Sequence, residues 1–182
     1  MLIGIAGTLG AGKGTVVEYL LKLGFKHYSG SGKLREILES RNIEPNRDEY
    51  SKLADEIRGE DPRGLTKLLW SDYENDAPEK AIIEALHDVE EAKFIKEQGG
   101  IVIGVDADME VRYSRIHTRG SEKDNVSFEE FKRLARHEEE GGGTHNIRAV
   151  LELADYTIEN NGTLEELHAQ VDAILKKISD TN

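Results

Sequence analysis

The chain has 182 residues, of which 37% are hydrophobic and 33% charged, with a formal net charge of −12. That suffices for one compact domain with its own core, and it excludes a nucleic acid or an anionic membrane as partner unless a local basic patch overrides the charge. With no cysteine, disulfides and thiolate metal sites are excluded as well.

Leu2 to Ala6 reads as a short buried strand, and "GTLGAGKGT" (7–15) follows it. Lys13 to Leu23 has apolar residues at helical spacing, so strand, glycine loop and helix come in order. "FKHYS" (25–29) is a second strand and Lys33 to Arg41 a helix. Asn46, with Glu49 three residues on, starts a helix to about Arg58, and Pro62 opens another through Tyr73. "AIIEAL" (81–86) is strand-like; Val89 to Gln98 is an amphipathic helix closed by Gly99-Gly100. "IVIGVDA" (101–107) is the next strand, and Met109 to Thr118 is helical. Ser127 with Glu130 forms a capping box for a charged helix to about Glu140, which "GGG" (141–143) breaks. Asn146 to Leu153 is helical, "YTIE" (156–159) a strand, "NNG" (160–162) a turn, and Thr163 with Glu166 caps a last helix ending near Ile178. No apolar run reaches the roughly 18 residues of a membrane span. The N-terminus enters a strand at once, with no room for a signal peptide, so a cytoplasmic protein is expected.

Strands alternate with helices and read as continuous apolar runs, which predicts a parallel sheet covered on both faces. The expected fold is a single α/β domain over 1–182, a three-layer sandwich with five parallel strands, helices on both faces and a helical lid at 120–145.

The glycine loop carries the most specific chemistry. Glycine is costly to order, so a ligand is the natural compensation. Gly7, four residues, then Gly12-Lys13 match the opening of the P-loop pattern. In that arrangement backbone N–H groups turn inward onto phosphate oxygens and the lysine reaches the β- and γ-phosphates. The pattern's Ser or Thr after the lysine is here Gly14, with Thr15 next. Candidate ATP-binding residues are Gly7, Leu9, Gly10, Ala11, Gly12, Lys13, Gly14 and Thr15, joined by Asn161 and Gly162 from the turn after the last strand. Arg115 and Arg119 lie four apart on one helix face, with Arg112 a turn earlier. Paired arginines at a lid hinge can neutralise a transferring phosphoryl group; the alternative is a solvated face paired with Glu110 or Glu122. Lys13, Arg115 and Arg119 are thus the candidate catalytic residues. Glu84 ends a strand, where a carboxylate can orient Mg²⁺ waters or an acceptor group. Asp106 and Asp108 either serve the site or cap the next helix. Arg35, Arg41, Arg47 and Arg58 form a basic series within 30–75, and His87, His137 and His145 lack metal-ligand spacing.

"GAGKGT" resembles the loop of adenylate kinase and its nucleoside monophosphate kinase relatives, G-x-P-G-x-G-K-G-T, with Leu9 in place of the proline. "YSGSGKLREIL" (28–38) looks like their S-T-G-D-M-L-R helix, so Arg35 matches the arginine that holds the acceptor phosphate, while Gly32 replaces the aspartate. "AIIEALHD" (81–88) lies where the family has D-G-x-P-R; Glu84 falls at the acid and no arginine follows. "VRYSRIHTRG" (111–120) is similar to the lid entry, and "ADYTIENNGTLEEL" (154–167) resembles the closing segment of dephospho-CoA kinases. The glycine loop and the resemblance imply a P-loop NTPase fold with an acceptor-binding insertion at 30–75, and an ATP- and Mg²⁺-dependent kinase acting on a nucleoside or deoxynucleoside monophosphate. Arg35 and Glu84 would bind the acceptor; Arg58, from the basic series, either joins them or is a cation favoured at its helix end. Thr15 and Glu84 would serve the metal, Glu84 through water. A dephospho-CoA kinase-like activity, or a nucleotide-binding regulator without transfer chemistry, are the alternatives. Small nucleotides are the expected partners, with neither nucleic acid nor membrane among them.

Overall fold

Alternation along the first strand sets the layers. In the computed structural model, which describes residues 1–59, 61–84, 86–119, 126–139 and 146–181 (the side chains of Arg47, Arg119, Glu138 and Thr181 excepted), β1 (Leu2–Gly7) is buried along its whole length. Successive side chains of a strand point to opposite faces. Leu2 and Ala6 accordingly join one core, and Ile3 and Ile5 the other. The partners are β2 (Lys26–Ser29), β3 (Ala81–Glu84), β4 (Ile101–Asp106) and β5 (Tyr156–Glu159), all parallel in the order β2-β3-β1-β4-β5.

The first face is covered by α2 (Gly30–Ser40), α3 (Arg47–Arg58), α4 (Gly64–Asp76), α5 (Val89–Glu97) and α8 (Ile147–Leu153), through Leu38, Leu53, Leu69, Ile95 and Val150. The second is covered by α1 (Lys13–Lys22) and α9 (Leu164–Thr181), through Leu20, Val171 and Ile178 against Ile3 and Ile103. Fully burying each such side chain contributes about 2 kcal/mol. Neighbouring segments approach the sheet closely at Gly4 and Gly104, where a Cβ would sit 2.6 Å from Leu86 Cδ1, in the connection after β3, and 2.6 Å from Leu151 Cδ2 of α8 respectively. A third cluster, Ile116, Phe131 and Ala135, joins α6 (Met109–Arg119) to α7 (Phe128–Glu139), with Leu9 of the glycine loop packed against it. The described part of the expected lid, α7, therefore rests on α6 and the loop. Residues 120–125 and 140–145, which include His145 and the "GGG" break, lie outside the described residues.

Element boundaries differ from the sequence reading where capping chemistry decides. Helix α2 begins at Gly30, not Lys33, because Ser29 Oγ accepts from Gly32 N at 3.2 Å and caps two helix-poor glycines. Helix α4 begins at Gly64 instead of Pro62, since Asp61 first closes a turn by accepting from Gly64 N and Arg63 N. The box at Thr163 forms as expected, with Glu166 Oε2 accepting from Thr163 N at 2.7 Å. A further box, Asp88 with Glu91, starts α5.

With β1 at the centre, the chain proceeds outward to β3 on one side and to β4 on the other. Ligands of open α/β sheets bind at the carboxyl ends of the strands beside such a switch point. The glycine loop leaves β1 there.

Candidate functional site

The loop from Gly7 to Gly12 is held in shape by groups from three other segments. Gly10 and Gly12 take φ of 81° and 94°, left-handed backbone that favours glycine. A Cβ on Gly12 would also collide with Asn160 Nδ2. Ala11 is fully buried, and its carbonyl accepts from Asn160 Nδ2 at 2.8 Å and Arg115 Nη1 at 3.3 Å. Arg115 Nη2 also donates to Asn160 Oδ1 at 3.3 Å. Thr8 Oγ1 donates to Asp106 Oδ1 at 2.7 Å, tying the loop to the end of β4.

The resulting cavity, about 710 Å³, is lined by the loop, by Glu84, and by Arg115 of α6. Lys13, the first residue of α1, projects into it, and the first turn of α1 carries no acid. A cation at a helix N-terminus opposes the dipole. Its presence there is explained by an anion that both would hold. Gly14 has nothing within 4 Å of a would-be Cβ, so the position that usually bears a hydroxyl is open space.

A second cavity, about 390 Å³, lies on the β2–β3 side and is lined by α2 and α3 together with Leu65 and His87. Lys13 and Glu84 line both cavities, so the two spaces meet at this pair. Glu84 Oε1 is 3.5 Å from Lys13 Nζ, and its Oε2 is 2.9 Å from His27 Nε2. Burial disfavours the Glu84 charge, but the His27 hydrogen bond and the Lys13 ammonium outweigh it and hold the carboxyl below its ordinary range.

The remaining predicted residues divide by position. Arg58 lines the second cavity and is buried. Arg35 lies on the exposed face of α2, where its Nε donates to the Tyr50 hydroxyl at 3.1 Å; Tyr50 lines the cavity and Arg35 does not. Arg41 forms a two-pronged pair with Glu56 at 2.9 Å. Arg112 turns away from the loop into a buried pair with Glu139 at 2.7 Å. Arg119 ends α6, and its side chain, like that of Arg47, lies outside the described residues. Thr15 lines the loop cavity. Asn161 Oδ1 accepts from Asp108 N at 2.7 Å, at the start of α6, and Gly162 packs against Glu166 in the α9 cap; the described lining of the loop cavity includes neither. Asn160, one residue earlier, is the member of that turn that grips the loop. Sequence reasoning missed it, along with His27, Tyr50 and Glu91. Only the doubled asparagine of "ENNG" offered a signal for the first.

A glycine loop between a central parallel strand and a helix, with lysine at the first helical position, defines a P-loop kinase-like NTPase. The chain belongs to the AAA domain family AAA_18, whose pattern matches residues 3–142. It is 30% identical to the UPF0200 protein PAE1629 of Pyrobaculum aerophilum, over 97% of this chain and 98% of that one. Identity to the UPF0200 protein of Sulfurisphaera tokodaii is 29%, over 97% of each. Among solved structures it resembles TT1252 from Thermus thermophilus (TM-score 0.61, 20% identity, 97% of each chain). It likewise resembles shikimate kinase from Aquifex aeolicus (0.59, 17%, 100% of each) and dephospho-CoA kinase from Campylobacter jejuni (0.57, 19%, 97% of this chain and 96% of that one). At these identities the likeness is one of fold. No helix among the described residues is long and apolar enough to cross a membrane.

Proposed function

We propose that this chain is an ATP-dependent kinase that transfers the γ-phosphoryl group to a small phosphorylated acceptor, a nucleoside or deoxynucleoside monophosphate, in the cytoplasm. The observation that carries the reading is the meeting of two cavities at Lys13 and Glu84. A donor in the loop cavity and an acceptor in the other would face each other across that pair. Loop N–H groups and the α1 N-terminus take the triphosphate. Lys13 adds its charge at the β- and γ-phosphates, and Arg115, already over the loop, neutralises the transferring group.

Magnesium fits the donors present. Thr15 and Glu84 offer only oxygen, and among the described residues no group of three or more His, Asp or Glu could enclose an ion. That suits a cation that keeps its waters and binds chiefly through phosphates. Thr15 and Glu84 would hold it through water, and the bound ion would supply charge neutralisation between donor phosphates.

A second reading has its own observation. Glu84, held ionised where the cavities meet, is a hydrogen-bond acceptor for an attacking hydroxyl, as a dephospho-CoA kinase-like reaction requires. The test is a product assay with ATP and Mg²⁺ against a panel of nucleoside monophosphates and dephospho-CoA, reading ADP and phosphorylated product together. Acceptor-dependent ADP with one nucleoside monophosphate supports the first reading, and turnover with dephospho-CoA alone supports the second. Nucleotide binding with no acceptor-dependent turnover leaves a nucleotide-binding regulator.

A further inference from the structure

The acceptor-side cavity contains a charge that the protein pairs only loosely. Arg58, the last residue of α3, lines this cavity at 8% exposure. Its Nη2 lies 3.8 Å from Glu91 Oε1, too far for a hydrogen bond; among the described residues that oxygen has no well-formed hydrogen bond although Glu91 is 0% exposed, and the Thr66 hydroxyl of α4 is the further group that acts on the same carboxyl. Glu91 is not free to come closer. Its other oxygen accepts from His87 N at 2.7 Å and Asp88 N at 3.2 Å, closing the cap of α5. A buried pair without good hydrogen bonds does not recover its desolvation cost. A guanidinium carries five N–H donors in a fork that matches phosphate oxygens. A bound phosphate would complete the site by taking the donors that Glu91 does not reach.

Three other described cations on these elements are engaged. Lys13 is at Glu84, Arg41 is held by Glu56, and Arg35 donates to Tyr50 on the exposed face of α2. Arg58 and Lys13 are the only lysine or arginine in the described lining. Asp55 lines the same wall one turn before Arg58, with the hydroxyls of Ser31 and Tyr50 nearby in the lining. These groups suit a hydroxyl-bearing body.

We propose that Arg58, fixed from behind by Glu91, anchors the phosphate of the acceptor, and that Arg35 does not. The acceptor class is then a phosphate monoester on a polyhydroxyl body, its phosphate at the α3–α5 wall and its hydroxyls beside Asp55, Ser31 and Tyr50. This rests on the phosphotransfer reading, and the test separates the two. Inorganic phosphate is titrated into the full-length protein, free and saturated with the Mg²⁺ complex of AMP-PNP. The Arg58 side-chain Nε–Hε resonance, assigned by its loss in Arg58→Lys, is followed alongside calorimetry. Heat from AMP-PNP reports the donor site by itself, so failure there sinks the kinase reading while the Arg58 resonance still tests the anchor.

The Arg58 resonance should shift saturably with phosphate. Arg58→Met should weaken that phosphate site by about thirtyfold or more, the loss of one partner of a desolvated charge pair. Arg35→Met should hold it within about twofold, as expected for an exposed side chain. If Arg58→Met fails to fold with Glu91 left alone, Arg58→Met/Glu91→Gln removes both charges and carries the same expectation. An unshifted Arg58 resonance, parental phosphate affinity in the Arg58 variants, or a loss confined to Arg35→Met would each overturn the proposal.

Discussion

Glu139→Ala should destabilise the protein by about 3–5 kcal/mol, the range for breaking a buried ion pair by removing one partner. The geometry places it there. Arg112 and Glu139 side chains are 3% and 7% exposed, with Nη1 and Oε1 2.7 Å apart. Among the described residues Arg112 Nε is buried with no hydrogen-bond partner and Nη2 meets Met109 Sδ at 3.5 Å, so Glu139 is the strong acceptor described for this guanidinium. Removing that carboxylate strands a buried guanidinium. It also frees Arg148, whose Nη2 donates to the other Glu139 oxygen at 2.9 Å and whose Nη1 stands 3.6 Å from Asp106, the residue that holds Thr8 of the loop. Urea unfolding is the assay. With m of about 2–3 kcal/mol/M for a domain of this size, the midpoint should fall by about 1–2 M. Arg112→Met/Glu139→Leu should recover most of the loss, because two apolar side chains leave no charge buried. A single-variant loss under about 1 kcal/mol, or a double variant no better than the single, would show that the pair is solvated and that α7 is not pinned by it.

Three further outcomes follow from the loop. Lys13→Ala should keep the parental melting temperature, since Lys13 projects into a cavity and not a core, and should lose ATP turnover; turnover at the parental rate would remove the loop from the chemistry. Arg115→Ala should lower kcat by about a thousandfold, the effect of losing an arginine on the transferring group, while AMP-PNP affinity measured by calorimetry falls far less; equal losses in both would make Arg115 a loop brace only. Gly14→Ser should fold normally, because nothing lies within 4 Å of the new Cβ. It should also tighten the Mg²⁺ dependence of nucleotide binding by adding the missing hydroxyl, and a Mg²⁺ titration matching the parent would mean that this hydroxyl position does not face the metal.

The sheet was legible because each strand obeys a local rule. Ile3 and Ile5 on one side of Leu2 and Ala6 announce a strand buried on both faces, and the glycines after it announce a turn onto a phosphate. The loop residues were readable for the same reason: a P-loop is contiguous, so spacing alone specifies it. The lining of the second cavity is not contiguous. Of Arg35, Arg41 and Arg58, the last alone lines it. The carboxylate that Arg58 faces there, Glu91, lies 33 residues farther along the chain, and its place in the α5 cap is itself a local event. Arg35 and Arg58 are alike in a sequence window, each a cation on an amphipathic helix. They separate only in three dimensions, where Tyr50 meets Arg35 at the surface and Glu91 faces Arg58 in the wall. The same limit explains Asn160 and Asn161. Adjacent residues in a turn point to opposite sides, and burial of Ala11, far back in the chain, decides which of the two grips the loop. The glycine loop is thus written locally, where a motif can carry it. The second cavity is written in contacts between elements, so the family pattern that locates the loop does not determine which arginine lines that cavity.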